Sequence, residues 1–261
     1  MKILFIGDII GRSGRIAVLK KLPGLKTKFN PDIIIANAEN AASGYGLTKK
    51  IADELFSQGI AVLTLGNHAW DQREMLSYIE ECKNIVRAIN YPEGTPGKGE
   101  IKITLEDGRT LLVIQVMLRL FMDIVLDDPF ATVSRCLSSE FLGNTCNNIL
   151  IDMHGEATSE KNAFAHYFDG KVTAILGTHT HVPTADERIL DNNTAYQTDV
   201  GMTGDYNSVI GMDKKSPIHG FIKGYRLERF TPATGKAKIC GTYIESNDKT
   251  GLAEHIESFQ F

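Results

Sequence analysis

Residues 32–40 read DIIIANAEN, and the order of apolar and polar residues in this stretch decides the fold. Residues 32–36 form an apolar run of strand length, and such isoleucine-rich runs are typical of parallel strands buried on both faces. Polar residues follow at the point where the strand ends. Similar runs recur along the chain, and together they predict strands at residues 2–6, 32–36, 61–65, 85–89, 111–116, 149–152 and 172–176.

Stretches of helical length separate the early strands. They cover residues 15–29, 48–58 and 71–82. Thr48 stands where an N-cap is needed, and Pro31 marks the exit from the first helix. This alternation of strands and helices predicts an α/β layered fold.

Two hairpins are predicted in addition. Residues 101–105 and 111–116 flank Asp107 and Gly108, a pair that tolerates the positive φ of a tight turn. Residues 221–230 and 236–244 flank a second turn-like stretch. These hairpins predict antiparallel pairs at the margins of the sheet.

The composition limits the class of protein. The chain has 261 residues, 43% of them apolar, which is enough for one large core and predicts a single domain over residues 1–261. A formal net charge of −4 gives no overall basic field, so we expect no duplex nucleic acid as a partner. The four cysteines have irregular spacings that suit reduced thiols. The apolar run after Met1 is too short for a signal peptide, which predicts a cytoplasmic protein.

Residues 111–126 are apolar enough to raise the question of a membrane span. The segment carries Gln115, Arg119 and Asp123. It is also shorter than the roughly 20 residues that a bilayer requires. We therefore expect a buried strand that runs into a loop or a helix, and no membrane contact.

Side chains that can bind metals follow five of the predicted strands. Ligands bind at the carboxyl ends of the strands in open α/β sheets, so these side chains are expected to meet at one edge. They are Asp8, Glu39, Asn40, Asn67, His68, His154, His179 and His181. Taken singly, Asp8 could cap a turn, Glu39 could be solvated, and His154 could be a hydrogen-bonded core residue. Because all of these side chains follow strands, we favour a metal-binding catalytic site over these separate structural roles.

Two of the histidines form a pair at the end of one strand. His179 and His181 are two residues apart, and residues at this spacing in an extended segment point to the same side. Three other histidines, His166, His219 and His255, lie away from strand ends and are expected in surface or packing roles. A ligand set of carboxylate, amide and imidazole groups suits manganese, iron or zinc.

A site for two metal ions needs a carboxylate that contacts both. Glu39 is the candidate because it lies midway among the motifs, which leaves Asp8 to serve one ion. Gly7, Gly11 and Gly14 match neither the phosphate-loop nor the dinucleotide-binding pattern, so no nucleotide cofactor is predicted.

The order of these motifs resembles the calcineurin-like metallophosphoesterase superfamily. Two positions depart from that pattern: Ile10 stands where a histidine is usual, and Glu39 replaces the usual bridging aspartate. Both departures resemble the YmdB family of 2′,3′-cyclic-nucleotide phosphodiesterases. The same resemblance is carried by residues 37–42, 66–71, 152–161 and 198–204.

The resemblance to this family implies a division of the ligands between two ions. One ion is held by Asp8, Glu39, Asn40 and His181, and the other by Glu39, Asn67, His154 and His179. It also implies a four-layer αββα sandwich with mixed sheets, a cytoplasmic location and a homo-oligomer. Residues 112–128 fit the family less regularly, which leaves the pocket wall there undefined.

Together with the metal-binding pattern, the resemblance implies a metal-dependent phosphodiesterase acting on small 2′,3′-cyclic nucleotides. Two ions about 3.5–4 Å apart, with iron or manganese preferred and zinc as the third candidate, would turn a bridging water into hydroxide for in-line attack. His68 would protonate the departing ribose oxygen, and the product is a nucleoside monophosphate. The alternatives are a phosphomonoesterase, an RNA-end phosphodiesterase, or a regulatory metal-binding protein acting through RNA-processing or signalling partners.

Overall fold

Two six-stranded sheets form the centre of the protein, whose computed structural model describes residues 1–124 and 126–261. In the first sheet, four parallel strands are followed on one side by two antiparallel strands. In spatial order the strands are β15 (Ala253–Gln260), β14 (Cys240–Ser246), β1 (Lys2–Ile6), β3 (Ile33–Asn37), β4 (Val62–Thr64) and β5 (Ile85–Val86). The predicted strands at residues 2–6, 32–36, 61–65 and 85–89 are therefore present, the last with two residues only.

The second sheet has four parallel strands with an antiparallel strand at each edge. Its order is β10 (Arg188–Ile189), β11 (Ala195–Gln197), β9 (Ala174–Thr178), β8 (Asn148–His154), β7 (Thr110–Met117) and β6 (Glu100–Thr104). A small third sheet consists of β13 (Ala237–Lys238), β12 (Met202–Asp205) and β2 (Asp8–Ile9).

The two large sheets face one another, and helices cover their outer faces. The helices are α1 (Gly11–Phe29), α2 (Lys49–Ser57), α3 (Met75–Glu81), α4 (Pro129–Cys136), α5 (Thr158–Tyr167) and α6 (Lys215–Lys223). Side chains alternate along a strand, so Ile3 and Phe5 of β1 enter the core between the sheets, while Leu4 and Ile6 pack under α1 and α2. Val133 of α4 and residues of α5 cover the second sheet. The predicted four-layer αββα sandwich with mixed sheets is confirmed.

The helix boundaries differ from the predicted ones at two places. Thr48 caps α2 as predicted, since its hydroxyl accepts a hydrogen bond from the Ile51 amide at 3.3 Å. The first helix begins at Gly11, four residues earlier than predicted. Gly14 permits this, because a Cβ there would overlap the Thr203 carbonyl oxygen. The third helix begins only at Met75, since residues 67–74 form turns.

One predicted hairpin is confirmed and the other is wrong. β6 and β7 pair antiparallel around a turn that contains Gly108 at a φ of 87°. Residues 221–230 form the end of α6 and a loop, and β14 pairs instead with β1 and β15. Ile218, Phe221 and Ile222 have helical spacing, and Gly224 ends the helix in the left-handed conformation. The helical spacing of these apolar residues therefore determines the structure here, although the turn-like residues that follow favoured a hairpin.

Residues 111–126 behave as predicted over their first part, where β7 is buried and then leads into a loop. Val125, which falls within this segment and within the less regular stretch 112–128, lies outside the described residues. Among the helices that the structure describes, none is long and apolar enough to cross a membrane.

Candidate metal centre

The predicted metal-binding side chains meet at the carboxyl ends of the parallel strands. Asp8 follows β1, Glu39 and Asn40 follow β3, Asn67 and His68 follow β4, His154 ends β8, and His179 and His181 follow β9. Their ligand atoms form two groups, each with all atoms within 4.8 Å of one another: Asp8, Glu39 and His181, and Glu39, His154 and His179. Glu39 belongs to both groups, as a bridging carboxylate would.

Glu39 is fixed in this central position by its neighbours. It is 1% exposed. Its Oε2 accepts a hydrogen bond from the His68 amide at 3.2 Å, and its Oε1 accepts one from Asn40 Nδ2 at 3.0 Å. Gly66 leaves room for it, since a Cβ there would overlap Glu39 Oε2 and lie 2.5 Å from His154 Nε2. The backbone at residue 66 thus has to be glycine for the centre to close.

The two asparagines face the centre with different atoms. Asn67 presents its oxygen, which lies 2.8 Å from His154 Nε2. Asn40 presents its nitrogen, which lies 3.0 Å from Glu39 Oε1 and 3.2 Å from His181 Nε2. In this orientation Asn40 donates to its neighbours, and it would offer its oxygen to a cation only with the amide turned over.

A chain of hydrogen bonds sets the tautomer of His154. The Thr178 hydroxyl donates to Asp152 Oδ1 at 2.6 Å and therefore accepts from His154 Nδ1, which is 2.8 Å away. Asp152 Oδ2 accepts hydrogen bonds from Thr64 and from Asn37, and these two bonds fix the Asp152 end of the hydrogen-bond chain. His154 Nε2 is consequently unprotonated and directs a lone pair into the centre.

The loop that carries the histidine pair has an unusual backbone. His179 has a φ of 102° and His181 a φ of 66°, values that cost a residue with a side chain about 1–3 kcal/mol and persist only where the surroundings enforce them. His181 is oriented by its Nδ1, which donates to the Ile210 carbonyl at 2.8 Å. The predicted extended conformation for this pair is therefore wrong, although both rings still reach the centre.

A buried ion pair holds this loop from behind. Lys161 of α5 and Asp199 are both fully buried, with 3.0 Å between Nζ and Oδ2. Lys161 also donates to the Thr178 carbonyl at 2.9 Å, and Asp199 accepts from the Thr180 amide at 3.0 Å. The two peptide groups that flank His179 are thus attached to opposite charges, and this arrangement imposes its left-handed backbone.

Burial and charge shift the proton affinities of the central groups. Burial raises the pKa of Asp8 to about 7, with a further contribution from Asp199. Burial, followed by the charge of Asp8, also raises the pKa of Glu39. Burial lowers the pKa of His179 to about 4 and holds the pKa of His154 well below its usual range. Buried carboxylates and neutral imidazoles together form a centre that would gain from a cation.

The donor atoms fit bound metal ions. His154 Nε2, Asn67 Oδ1 and Glu39 Oε1 all bring lone pairs to one point, with Nε2 2.8 Å from the amide oxygen and 3.2 Å from the carboxylate. Asp8 Oδ1 is buried and has no hydrogen-bond partner among the described residues. Lone pairs that converge on one point repel one another, and a cation at that point would remove the repulsion.

His68 stands at the side of the centre and is partly exposed to a cleft. Its Nδ1 lies 2.9 Å from Asp71 Oδ2, so Nδ1 donates to the carboxylate and Nε2 is left for the cleft. The Tyr45 ring contacts it edge-on at 5.2 Å between centroids. Asp71 therefore orients the His68 ring, as a neighbouring carboxylate orients the catalytic histidine in many enzymes.

The cleft above the centre has a volume of about 730 Å³. One side consists of the centre itself, with Glu39, Asn40, His68, His179 and His181. The rest of the lining includes apolar, aromatic and cationic side chains: Tyr45, Val182, Ile210, Met212, Phe221, Tyr225, Arg226 and Phe230. A ligand with one phosphate and one apolar ring would find both chemistries here.

Several residues that shape the centre are not among the site residues predicted from the sequence. Asp152 and Lys161 could have been recognised from the sequence, because each places a charged side chain at a position whose neighbours predict burial. Asp152 interrupts an apolar strand, and Lys161 shares the buried stripe of α5 with Phe164, Ala165 and Phe168. Asp71 and Tyr45 gave no such signal, since both lie in turns.

Known proteins resemble this chain over its whole length. A family model described as YmdB-like protein matches residues 4–259. A protein of Bacillus subtilis (strain 168) named 2′,3′-cyclic-nucleotide 2′-phosphodiesterase is 46% identical over 98% of this chain and 96% of its own length. The crystal structure of a hypothetical protein from Thermus thermophilus superposes with a TM-score of 0.92 at 43% identity, covering 100% of this chain and 99% of the other. That of a novel phosphatase from Mycoplasma pneumoniae gives 0.93 at 33% identity, covering 100% and 93%.

Proposed function

The chain belongs to the YmdB-like protein family, and from that membership we propose that it is a metal-dependent phosphodiesterase that hydrolyses 2′,3′-cyclic nucleotides to nucleoside monophosphates. Hydrolysis of phosphoric esters is the activity named for its relatives, and the chain is a hydrolase of this kind. The observation that carries the proposal is the convergence of unprotonated His154 Nε2, Asn67 Oδ1 and Glu39 Oε1 on one point below an open cleft.

Two metal ions are part of the proposal. One would be held by Asp8, Glu39, Asn40 and His181, and the other by Glu39, Asn67, His154 and His179. Iron or manganese is preferred for this donor set, with zinc as the third candidate. When bound, such ions supply Lewis-acid polarisation of the phosphoryl oxygens and activate water for in-line attack.

The protein's own groups then orient the substrate and move one proton. Glu39 and His154 are rigid because each is bonded to a buried neighbour, which fixes the positions of the donor atoms that would hold the metal ions. His68, with Nδ1 held by Asp71, directs Nε2 into the cleft, where it protonates the ribose oxygen as the ester bond breaks. Because the leaving oxygen gains this proton as the bond breaks, it departs as a hydroxyl group and no free alkoxide has to form.

A cytoplasmic location belongs to the same proposal. All four cysteines are free thiols, which is usual in a reducing compartment.

The test is metal content and turnover measured on one purified sample, with 2′,3′-cyclic AMP and a phosphomonoester as parallel substrates. We expect two ions per chain and a clear preference for the cyclic diester. His68→Ala should keep both ions and lose roughly 100-fold in kcat, because general acid catalysis contributes at least this much. His166→Ala, an exposed histidine of α5, is the matched control and should match the wild type.

Other outcomes separate the alternatives. Preference for the monoester would make the protein a phosphomonoesterase. A metal-loaded protein without activity on either ester would contradict the proposal and favour a regulatory metal-binding role. Unchanged turnover in His68→Ala would remove this residue from the mechanism.

A further inference from the structure

Residues 213–231, called the α6 segment below, form an excursion from the fold beside the metal centre. The segment is closed at its base, where the Asp213 amide donates to the Thr231 carbonyl at 2.8 Å and the Ser216 hydroxyl donates to the Glu228 carbonyl at 2.9 Å. Beyond this base, residues 221–229 are all exposed. The segment is thus fixed in place at its base and presents most of its side chains to solvent.

The chemistry of the α6 segment differs from that of the rest of the chain. It contains five lysine and arginine residues and two acidic residues, a net charge of +3 in a chain whose formal net charge is −4. The cations are Lys214, Lys215, Lys223, Arg226 and Arg229. The charge of the whole chain conceals this local excess. A cationic segment on an acidic protein attracts a polyanion to that part of the surface.

Aromatic rings alternate with these cations. Phe221 is 87% exposed and Tyr225 is 61% exposed, whereas aromatic side chains that pack in the core, such as Phe164, are buried. Arg226 lies over the Phe230 ring at 4.7 Å, and Arg229 lies over the Tyr45 ring at 5.2 Å. Flat rings interleaved with cations are the usual surface for unpaired nucleotides, whose bases stack while their phosphates are neutralised.

This surface is continuous with the metal centre. Phe221, Tyr225, Arg226 and Phe230 line the same cleft as Glu39 and His181. Of the five cations, Arg226 lines the cleft and Arg229 lies over the Tyr45 ring at its margin, while the three lysines of the segment are not among the lining residues that the structure describes. Their placement suits the phosphates of a longer chain that continues out of the cleft.

We propose that the α6 segment binds the last nucleotides of a single-stranded RNA whose 3′ end carries a 2′,3′-cyclic phosphate, and that this terminal group is the substrate of the metal centre. The inference rests on the proposed function and extends it from mononucleotides to RNA ends. The reaction is the same hydrolysis. Water's oxygen bonds to phosphorus, one ester bond of the ring breaks, and a proton goes to the released ribose oxygen, which leaves a terminal monoester and a hydroxyl group.

A second copy of this chain is a less suitable occupant of the α6 segment. A two-fold symmetric contact would set the five cations of one copy against the five of the other, which costs free energy unless anions intervene. An RNA strand supplies the opposite charge and flat rings at once.

The kinetic test compares 2′,3′-cyclic AMP with a pentaadenylate that ends in a 2′,3′-cyclic phosphate, on the metal-loaded protein. We expect kcat/KM to be about tenfold higher for the pentamer, mainly through a lower KM, because the stacking of one base on an aromatic ring contributes roughly 5- to 100-fold in affinity. Phe221→Ala combined with Arg226→Ala should lower the ratio of the two kcat/KM values toward one. Lys171→Ala combined with Lys249→Ala, at exposed positions near the opposite ends of the strands, is the control and should leave the ratio unchanged.

A binding measurement makes the result independent of activity. The probe is a fluorescent pentaadenylate with a terminal 3′-phosphate, followed by anisotropy at several salt concentrations. Contact with about three phosphates predicts a slope of log K against log salt concentration of about −2, and the Phe221/Arg226 double variant should bind at least about tenfold more weakly.

Several outcomes would overturn the inference. Equal kcat/KM values for the two substrates would do so, as would a double variant that keeps the wild-type ratio. A double variant that changes only the oligomeric state would identify the α6 segment as a subunit contact. If neither substrate is hydrolysed but the pentamer still binds through Phe221 and Arg226, the proposed function fails and the RNA contact stands.

Discussion

The metal centre and the α6 segment line one cleft, yet they are built in opposite ways. In the centre, Glu39 and His154 are buried, and each is bonded to neighbours that are themselves buried. In the α6 segment, Phe221 and Tyr225 are mostly exposed, and only the base is bonded to the fold. Chemistry on phosphorus needs atoms held in place, whereas recognition of a flexible chain needs accessible rings and charges. Substitutions on the two sides should therefore have different consequences.

The largest effect is expected from Glu39→Gln. Glutamine removes the negative charge shared by both ligand groups, so metal content should fall to one ion or none and kcat/KM by roughly 10⁴-fold. Elemental analysis and turnover on 2′,3′-cyclic AMP measure both. Glu81→Gln, at an exposed position of α3, is the control. Two ions retained in the Glu39→Gln variant would contradict the bridging assignment.

A slightly smaller effect is expected from Lys161→Met, which leaves Asp199 buried without its counter-charge. The free energy of unfolding should fall by about 3–5 kcal/mol, and metal should be lost more readily on dialysis because the His179 loop is no longer held. Urea unfolding measures the first quantity. Adding Asp199→Asn should restore most of the stability, since the unpaired charge is gone. A single variant as stable as the wild type would refute this role for the ion pair.

Asp71→Asn tests the orientation of His68 and should have a moderate effect. We expect kcat to fall roughly tenfold with metal content unchanged, because the His68 ring loses the carboxylate that its Nδ1 contacts at 2.9 Å. Asp191→Asn, at an exposed position in a loop, is the matched control. Loss of metal in the Asp71→Asn variant would show that Asp71 supports the centre as a whole and does not act through His68.

The smallest effect is expected from Phe221→Ala on stability. An 87% exposed ring contributes little to folding, so the free energy of unfolding should change by less than about 0.5 kcal/mol. Phe164→Ala, in the buried core under α5, should cost about 3–5 kcal/mol in the same urea titration. A loss above about 1 kcal/mol for Phe221→Ala, roughly twice the usual surface effect, would show that the α6 segment is part of the folded core.

The metal centre could be predicted from sequence because strands buried on both faces are recognisable from their apolar runs. Once the strands are placed, their carboxyl ends must meet, and polar residues such as Glu39 and His154 come together without further information. The four-layer arrangement was implied by the family resemblance. It follows physically from the alternation of Ile3 and Phe5 with Leu4 and Ile6 on β1.

What could not be predicted depends on contacts between distant parts of the chain. Lys161 and Asp199 are 38 positions apart, and only the fold shows that they enclose the His179 loop. The α6 segment was misread because apolar residues before a turn fit both a strand and a short helix. Its positive charge was missed because the net charge of the whole chain is negative and hides a local excess of cations.

The closed base of the α6 segment gives the protein a modular design. The chain leaves the fold at Asp213 and returns at Thr231, and the amide-to-carbonyl bond between these residues holds the two ends together. An insertion, deletion or exchange of the residues between them leaves the strand ends where they are. Substrate range can therefore diverge within one lineage, or be changed by grafting a loop in the laboratory, while the chemistry on phosphorus is inherited intact.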